Sequence, residues 1–383
     1  MVTMMTAHTN EIDEPEDAIA EILEQIDLKA LKKNSIGLVF CYYEFIESGI
    51  VRQLREKLPF EIVGMTTLAG AVEGDAGMYS LHLAVLTSDE IKFQPAHTPP
   101  LSADTFDSTI KQTCQEALAK LDGPPQLVIA FFPFSSSLSG TDMLQVIDET
   151  CGGAPVWGGV SSDVSANYAN SRVICNDASD KNMLTLVLLR GDVQVDFVVT
   201  SIPDRNIYER QAIITESEHC TVKKVNDMTF YDFLKSTNII AENENLASTP
   251  IVVYRKDEEG AYATAIYNMY DDGSALCGSP MPEGDAFSIA EIDAVGIMES
   301  AQISLEKTLE KNPSLVLMLP CITRYFMLAP SQEDEMRLVS ETIGQRFPFV
   351  HAYAGGEICP ISKKDGALRN KFHGFTFSAC LLK

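Results

Sequence analysis

The stretch that decides the fold is Ile36–Tyr43, IGLVFCYY, a short and nearly continuous apolar run. A strand buried on both faces reads this way, because neither face meets water. A charged, periodic stretch follows, Glu47–Leu58, with Ile50, Val51, Leu54 and Leu58 on one helical face. Pro59 precedes a second strand-like run, Phe60–Met65, which enters the small-residue turn Thr66-Thr67-Leu68-Ala69-Gly70. Leu81–Leu86 supplies a further strand and closes the unit.

The same order returns twice. Gln126–Phe134 is the strand of a second unit, Asp142–Thr150 its helix, and Pro155-Val156-Trp157 runs into Gly158-Gly159-Val160-Ser161-Ser162-Asp163 before Leu184–Arg190. In the third, Leu315–Cys321 is the strand and Glu333–Arg346 the helix. Pro348-Phe349-Val350 then enters Ala354-Gly355-Gly356-Glu357, and Phe375–Leu382 ends the chain. An amphipathic helical stretch precedes each unit: Asp17–Leu31, Asp104–Leu121 and Ile289–Leu309, with Asp13 and Ser288 as caps for the first and third. Three correlated features in one order point to an internal repeat.

Between the second and third units the texture changes. Thr221–Val225, Ile251–Arg255, Ala261–Tyr270 and Ser274–Cys277 are β-formers separated by charged or Asp-Gly turns, which signal hairpins. The expected fold is therefore α/β: repeated strand–helix–strand units forming mixed sheets flanked by helices, with an antiparallel insertion in the second half. The expected domains are 15–202, holding two units, and 203–383, holding the insertion and the third.

Composition excludes several functions. The net charge of -25 repels a nucleic-acid backbone and an anionic membrane face, and the basic pairs Lys32-Lys33, Lys223-Lys224 and Lys363-Lys364 are isolated. Apolar runs fall short of the roughly 20 residues that span a bilayer, and Met1–Asn10 does not read as a signal peptide. Nine cysteines, widely spaced and without a Cys-x-x-Cys pair, argue against structural zinc and fit a reduced cytoplasm.

The phrases Leu319-Pro320-Cys321-Ile322-Thr323-Arg324 and Tyr353-Ala354-Gly355-Gly356-Glu357-Ile358-Cys359-Pro360, with acidic Glu333 and Glu335 between them, resemble the FIST family. Val63-Gly64, Trp157-Gly158-Gly159, Val225-Asn226-Asp227 and Met281-Pro282-Glu283-Gly284 resemble further family phrases, so the likeness spans residues 15–383. The chain departs at His373-Gly374-Phe375-Thr376, where the family often reads His-Asn-x-Thr. The resemblance implies a sensory module for amino-acid-like small molecules, serving a separate signalling protein such as a histidine kinase or a cyclic-dinucleotide enzyme. It also implies a haem-based gas sensor as an alternative; His351, which adjoins the third turn, is the first choice of haem ligand, and a partly buried structural histidine is the plainer reading of it.

The candidate ligand-binding residues are Cys321, Arg324, Tyr353, Gly356, Glu357 and Asp163. Glycines admit a ligand to the backbone, and Glu357 would hold an amine; a φ > 0 turn at Gly355 and Gly356 is the plainer alternative. Arg324, after a strand end, would clamp a carboxylate or pair with Glu357. Asp163 is either a pocket group or a solvated turn residue. An enzyme using Cys321 would need a histidine such as His351 or His373 to activate the thiol. The chain shows no Gly-x-x-x-x-Gly-Lys phosphate loop and no His-Glu-x-x-His metal spacing.

Overall fold

The computed structural model describes residues 2–135, 138–165, 168–208, 211–237, 249–255, 258 and 261–383. The chain opens with β1 (Thr3–Thr9), α1 (Pro15–Gln25), β2 (Asn34–Cys41), a one-turn α2 (Glu44–Glu47), α3 (Ile50–Lys57) and β3 (Glu61–Thr66). A hairpin of β4 (Ala69–Val72) and β5 (Asp75–Met78) precedes β6 (Leu81–Ser88). Next come β7 (Lys92–His97), α4 (Phe106–Leu118), β8 (Leu127–Phe132), α5 (Gly140–Thr150), β9 (Val156–Val160), the hairpin β10 (Val173–Cys175) and β11 (Ala178–Asp180), and β12 (Thr185–Arg190).

β13 (Val195–Thr200) is followed by the insertion: β14 (Ala212–Glu218), β15 (Thr221–Val225), β16 (Met228–Thr229), α6 (Phe230–Thr237), β17 (Ile251–Tyr254), β18 (Ala261–Thr264), β19 (Ile266–Met269), β20 (Ala275–Cys277) and β21 (Ala286–Ile289). The chain resumes with α7 (Ala294–Lys311), β22 (Leu315–Met318), α8 (Ile322–Met327), α9 (Asp334–Ile343) and β23 (Phe349–Ala352). It ends with β24 (Glu357–Ile358), β25 (Ile361–Ser362), β26 (Leu368–Arg369), β27 (Phe372–His373) and β28 (Phe377–Leu382).

Three six-stranded sheets follow one plan. Their orders are β1-β6-β2-β3-β10-β11, β7-β12-β8-β9-β24-β27 and β13-β28-β22-β23-β4-β5. In each, only the third pairing is parallel: β2 with β3, β8 with β9 and β22 with β23. The last two strands always come from elsewhere in the chain. The hairpin after β3 completes the third sheet, the one after β9 completes the first, and β24 with β27, after β23, completes the second. The halves on either side of residue 202 therefore share sheets, and β1, which lies before residue 15, pairs with β6.

Apolar side chains alternate between two cores, as strands covered on both faces require. Ile36, Leu38 and Phe40, Ile129 and Phe131, and Leu315, Leu317 and Leu319 turn into one central core shared by all three sheets. Phe40 meets Phe131 edge-on at 5.5 Å, a favoured aromatic geometry. The intervening residues face outward beneath helices: Val39 and Cys41 in the first sheet, Val128, Ala130 and Phe132 in the second, Val316 and Met318 in the third. Each Val, Leu, Ile, Phe or Met among them, fully buried, contributes about 1.5–3 kcal/mol.

The insertion is antiparallel, as expected, in the order β18-β17-β21-β14-β15-β20-β19 with β16 on β15, around its own core. It lies on the second sheet's β24–β27 edge. Gly374 N–H donates to Ala263 C=O (3.2 Å), Ser279 Oγ to Phe372 C=O (3.0 Å), and Lys371 Nζ to both oxygens of Glu258 (2.8 and 2.6 Å).

Three local expectations need correction. The Glu47–Leu58 helix is broken by Gly49 at φ 81 into α2 and α3. Asp13 does not cap α1, whose N-cap is Glu14, with Pro15 fixing the first helical position. Ser288 lies in β21, and Asp293 caps α7 by accepting from Gly296 N–H at 2.6 Å. Among the described residues, no helix is long and apolar enough to cross a membrane.

Candidate functional site

The candidate site lies where β3, β9 and β23 run out of their parallel partners. There Thr67, Ser161 and Ala354 each donate a backbone N–H to the neighbouring strand end, at Cys41, Phe132 and Pro320, all at 2.9 Å. The residues before them reach the exchanged hairpins instead. Thr66 N–H donates to Arg172 C=O (2.9 Å), Val160 to Gly356 (2.9 Å) and Tyr353 to Ala69 (3.2 Å). This register matches Gly70, Val173 and Glu357, each one residue past those acceptors. Their cross-strand partners Ala352, Met65 and Gly159 match as well. One plan thus gives three crossings, and one of them carries a carboxyl group.

Glu357 is fully buried. Its Oε2 accepts from Thr376 N–H at 3.0 Å and from Thr376 Oγ1 at 2.6 Å. Its Oε1 is buried and has no hydrogen-bond partner among the described residues. Loss of water dominates, raising the carboxyl to about 8 against the opposing pull of Thr376, the Cys321 thiol and the Arg324 charge. Cys321 forms an isolated bridge with Ala354, and its thiol is pushed up, first by burial and then by Glu357. That is the reverse of what a nucleophilic thiolate needs.

Glycines make the room. A Cβ on Gly159, opposite Glu357, would stand 2.8 Å from Ala354 Cβ and 3.1 Å from Gly356 O. One on Gly356 would meet the Phe372 ring at 2.5 Å. Neither Gly355 nor Gly356 has a positive φ, so close approach, not a left-handed turn, requires glycine here. Ser161, two residues past Gly159, is a second buried group whose hydroxyl has no partner among the described residues.

Two tyrosines complete the surroundings. Asp163 is buried and organises its own loop: Oδ1 accepts from the Ser165 N–H and hydroxyl, and Oδ2 from Asn170 N–H at 2.7 Å. That loop carries Tyr168, whose ring packs edge-on against Phe134 at 4.7 Å and sets its Cε2 3.3 Å from where a Gly355 Cβ would be. Tyr267 comes from β19 of the insertion; its residue surface is 53% exposed, while its hydroxyl end lies against Gly278. Loss of water raises both phenols, and the nearby ionisable Cys321 and Glu357 oppose a further negative charge there.

Arg324 and Tyr353 face another acid. Arg324 donates from Nε to Glu335 Oε1 (3.0 Å), from Nη1 to Ser300 Oγ (2.9 Å) and from Nη2 to Ile297 C=O (2.9 Å) and Glu335. Tyr353 Oη donates to Glu335 Oε2 at 3.0 Å. The pairing of Arg324 with Glu357 considered from sequence is thus replaced by one with Glu335, because α9 lays that carboxylate against the strand end. His351 is buried on β23 between the rings of Tyr353 (4.9 Å) and Phe377 (6.1 Å), and burial pushes it down to about 3. His373, opposite Glu357 in the ladder, places Nε2 2.9 Å from Cys359 O. Among the described residues, no group of three or more His, Cys, Asp or Glu side chains is arranged to hold a metal.

Sequence reasoning selected Cys321, Gly356 and Glu357, which come together. It missed Thr376, Ser161, Tyr168 and Tyr267. The signal for Thr376 was available in the departure at His373–Thr376. Tyr168 and Tyr267 sit in a long loop and in the insertion, and nothing local in the sequence ties either to Glu357.

Two solved structures of cyanuric acid hydrolase are similar to the chain. The one from A. caulinodans is 10% identical with a TM-score of 0.35, over 100% of both chains. The other, described as evolutionary innovation by structural concatenation, is 7% identical with a TM-score of 0.35, again over 100% of both chains. No curated protein matches. The FIST N domain model matches residues 35–228 and the FIST C domain model residues 231–360. Together they take in the parallel pair of each sheet, the insertion and Glu357, and the chain therefore belongs to the FIST family of sensory, signal-transduction modules.

Proposed function

We propose that this chain is an internally repeated, cytoplasmic sensor of an amino-acid-like small molecule, bound at the Glu357 crossing. The single observation that carries the reading is the buried Glu357 carboxyl with one oxygen held by Thr376 and the other without a hydrogen-bond partner among the described residues. A protein loses stability by burying such a group, and ligand sites are where that loss has a use. A primary ammonium on Oε1 would satisfy it. Tyr168 and Tyr267 are the donors suited to a ligand carboxylate, since the donors of Arg324 are engaged by Glu335, Ser300 and Ile297. Cys321, Gly356 and Ser161 line the approach, Asp163 holds the loop that carries Tyr168, and Arg324 and Tyr353 brace the frame. Output passes to a separate signalling protein such as a histidine kinase or a cyclic-dinucleotide enzyme.

A thermal-shift screen of the proteinogenic L-amino acids and their decarboxylated amines tests this, because a ligand of the folded state raises Tm with concentration. At least one amino acid should raise the Tm of the wild type and leave Glu357→Gln unmoved. Loss of one charge-assisted hydrogen bond weakens binding by roughly ten- to a hundredfold. Equal shifts in both proteins would overturn the assignment.

A further inference from the structure

The register that matches Glu357 with Gly70 also matches the turns before β6 and β28. Tyr42 N–H donates to Ser80 C=O at 3.1 Å as Cys321 N–H donates to Thr376 C=O at 2.9 Å, so Tyr79 stands where Phe375 stands. Both are in the left-handed region, at φ 56 and φ 61, a conformation unfavourable for bulky residues. Phe375 is 2% exposed. Its neighbour Gly374 is bonded to β18, so the insertion covers that side of the crossing. Tyr79 is 45% exposed. The molecule thus holds an aromatic side chain at a strained position without burying it.

Tyr79 belongs to a surface. Tyr42 packs against Tyr43 (4.5 Å) and Tyr79 (4.7 Å), and Met78, the residue before Tyr79, packs against the cluster that holds Tyr325. Beside the buried Tyr325, Phe326 and Met327 project from α8 with 43% and 37% exposure. Two exposed acids flank the ledge: Glu44 accepts from Tyr43 Oη at 3.2 Å, and Glu333 lies within electrostatic reach of Tyr325. Tyrosine, phenylalanine and methionine are enriched in interface centres, and aromatic faces beside carboxylates suit a guanidinium.

We propose that this ledge docks an arginine-bearing segment of a partner protein. Charge selects that occupant over a second copy of the chain: the ledge is rimmed by acids, and the chain carries a net charge of -25, so two copies repel. The surface lies at a different crossing from Glu357 and does not depend on what binds there.

A fluorescently labelled amphipathic peptide with arginines along one side, titrated with the full chain, tests the proposal. Lysine-for-arginine and glutamate-for-arginine versions serve as comparisons. Tyr79→Gly relieves the strained φ, so this variant should melt no lower than the wild type. Phe326→Ser removes the second anchor, and Tyr231→Ser, an exposed tyrosine on the insertion, is the control. Tyr79→Gly and Phe326→Ser should each weaken the arginine peptide by roughly tenfold or more. Tyr231→Ser should not, and the arginine peptide should bind more tightly than the lysine one. Equal affinity in all three variants would mean general charge attraction and overturn the proposal. A wild-type dimer in sedimentation, lost in Tyr79→Gly, would overturn it in favour of a second copy.

Discussion

Glu335 and Glu357 are both fully buried carboxyl groups in the C-terminal half, and they are treated in opposite ways. Glu335 has Arg324 on one oxygen and Tyr353 on the other, with Ser300 and Ile297 holding the remaining guanidinium donors. Glu357 has Thr376 on one oxygen, the weakly donating Cys321 thiol beside it, and an oxygen with no hydrogen-bond partner among the described residues. A closed network fixes the α7–α8–α9 layer against its sheet. An incomplete one leaves binding capacity at a crossing where the other two sheets place Gly70 and Val173. The difference separates a residue whose acceptors are all used in holding the fold from one that keeps an acceptor unused.

The largest effect should come from opening the closed network. Glu335→Ala or Arg324→Ala strands a buried charge and should cost about 3–5 kcal/mol in urea denaturation. The apolar double replacement Arg324→Met with Glu335→Leu should recover most of that loss. Should the single variants be as stable as the wild type, the closed side of the comparison fails.

Glu357→Gln should act in the other direction. The folded-state carboxyl is raised from 4.5 to about 8, so between those values the native protein keeps a proton that the unfolded chain has lost. This group's contribution therefore falls as pH rises through that window. The Gln variant, which has no proton to keep, should gain on the wild type from pH 5 to 8, reaching roughly 2–4 kcal/mol, and then level off. Parallel stability curves for the two proteins across that range would break the comparison.

Packing at the crossing gives a smaller effect. Gly159→Ala puts a methyl 2.8 Å from Ala354 Cβ, between β9 and β24, and should cost about 1–3 kcal/mol through forced separation. Because β24 begins with Glu357, ligand binding should weaken together with stability. Cys321→Ser is the mildest change. A hydroxyl is a better donor than a thiol, so it should lower the Glu357 pKa slightly and flatten the pH dependence of binding, with stability altered by less than about 1 kcal/mol. Loss of all binding in Cys321→Ser would instead point to thiol chemistry.

Much of the scaffold was legible because buried strands announce themselves as apolar runs: Ile36–Tyr43, Gln126–Phe134 and Leu315–Cys321 all contain inner strands of a sheet. The first strand of each sheet was not. β1, TMMTAHT, and β13, VDFVVT, mix polar and apolar residues because they lie at sheet edges with partly exposed faces. The exchange of hairpins between sheets was also invisible, since strands such as β24 are short and pair with β9, far away in sequence. At the site, the Gly356–Glu357 step marked itself by composition. The partner of Arg324 was within reach: Glu335, Val339 and Ile343 recur every four residues on the buried face of α9, so a carboxylate occupies a core position. Tyr267 was beyond reach, because only the docking of a whole inserted sheet brings it within electrostatic reach of Glu357.

The most direct test of an open carboxyl at Glu357 is calorimetry of amino-acid binding at pH 6.5, repeated in buffers of different ionisation enthalpy. Below its pKa of about 8 the carboxyl is protonated, and an incoming ammonium must drive the proton off. About one proton should leave per ligand bound, and affinity should rise roughly tenfold per pH unit up to pH 8. Glu357→Gln should release none. Binding with no buffer-dependent enthalpy, or proton release that persists in Glu357→Gln, would contradict the account.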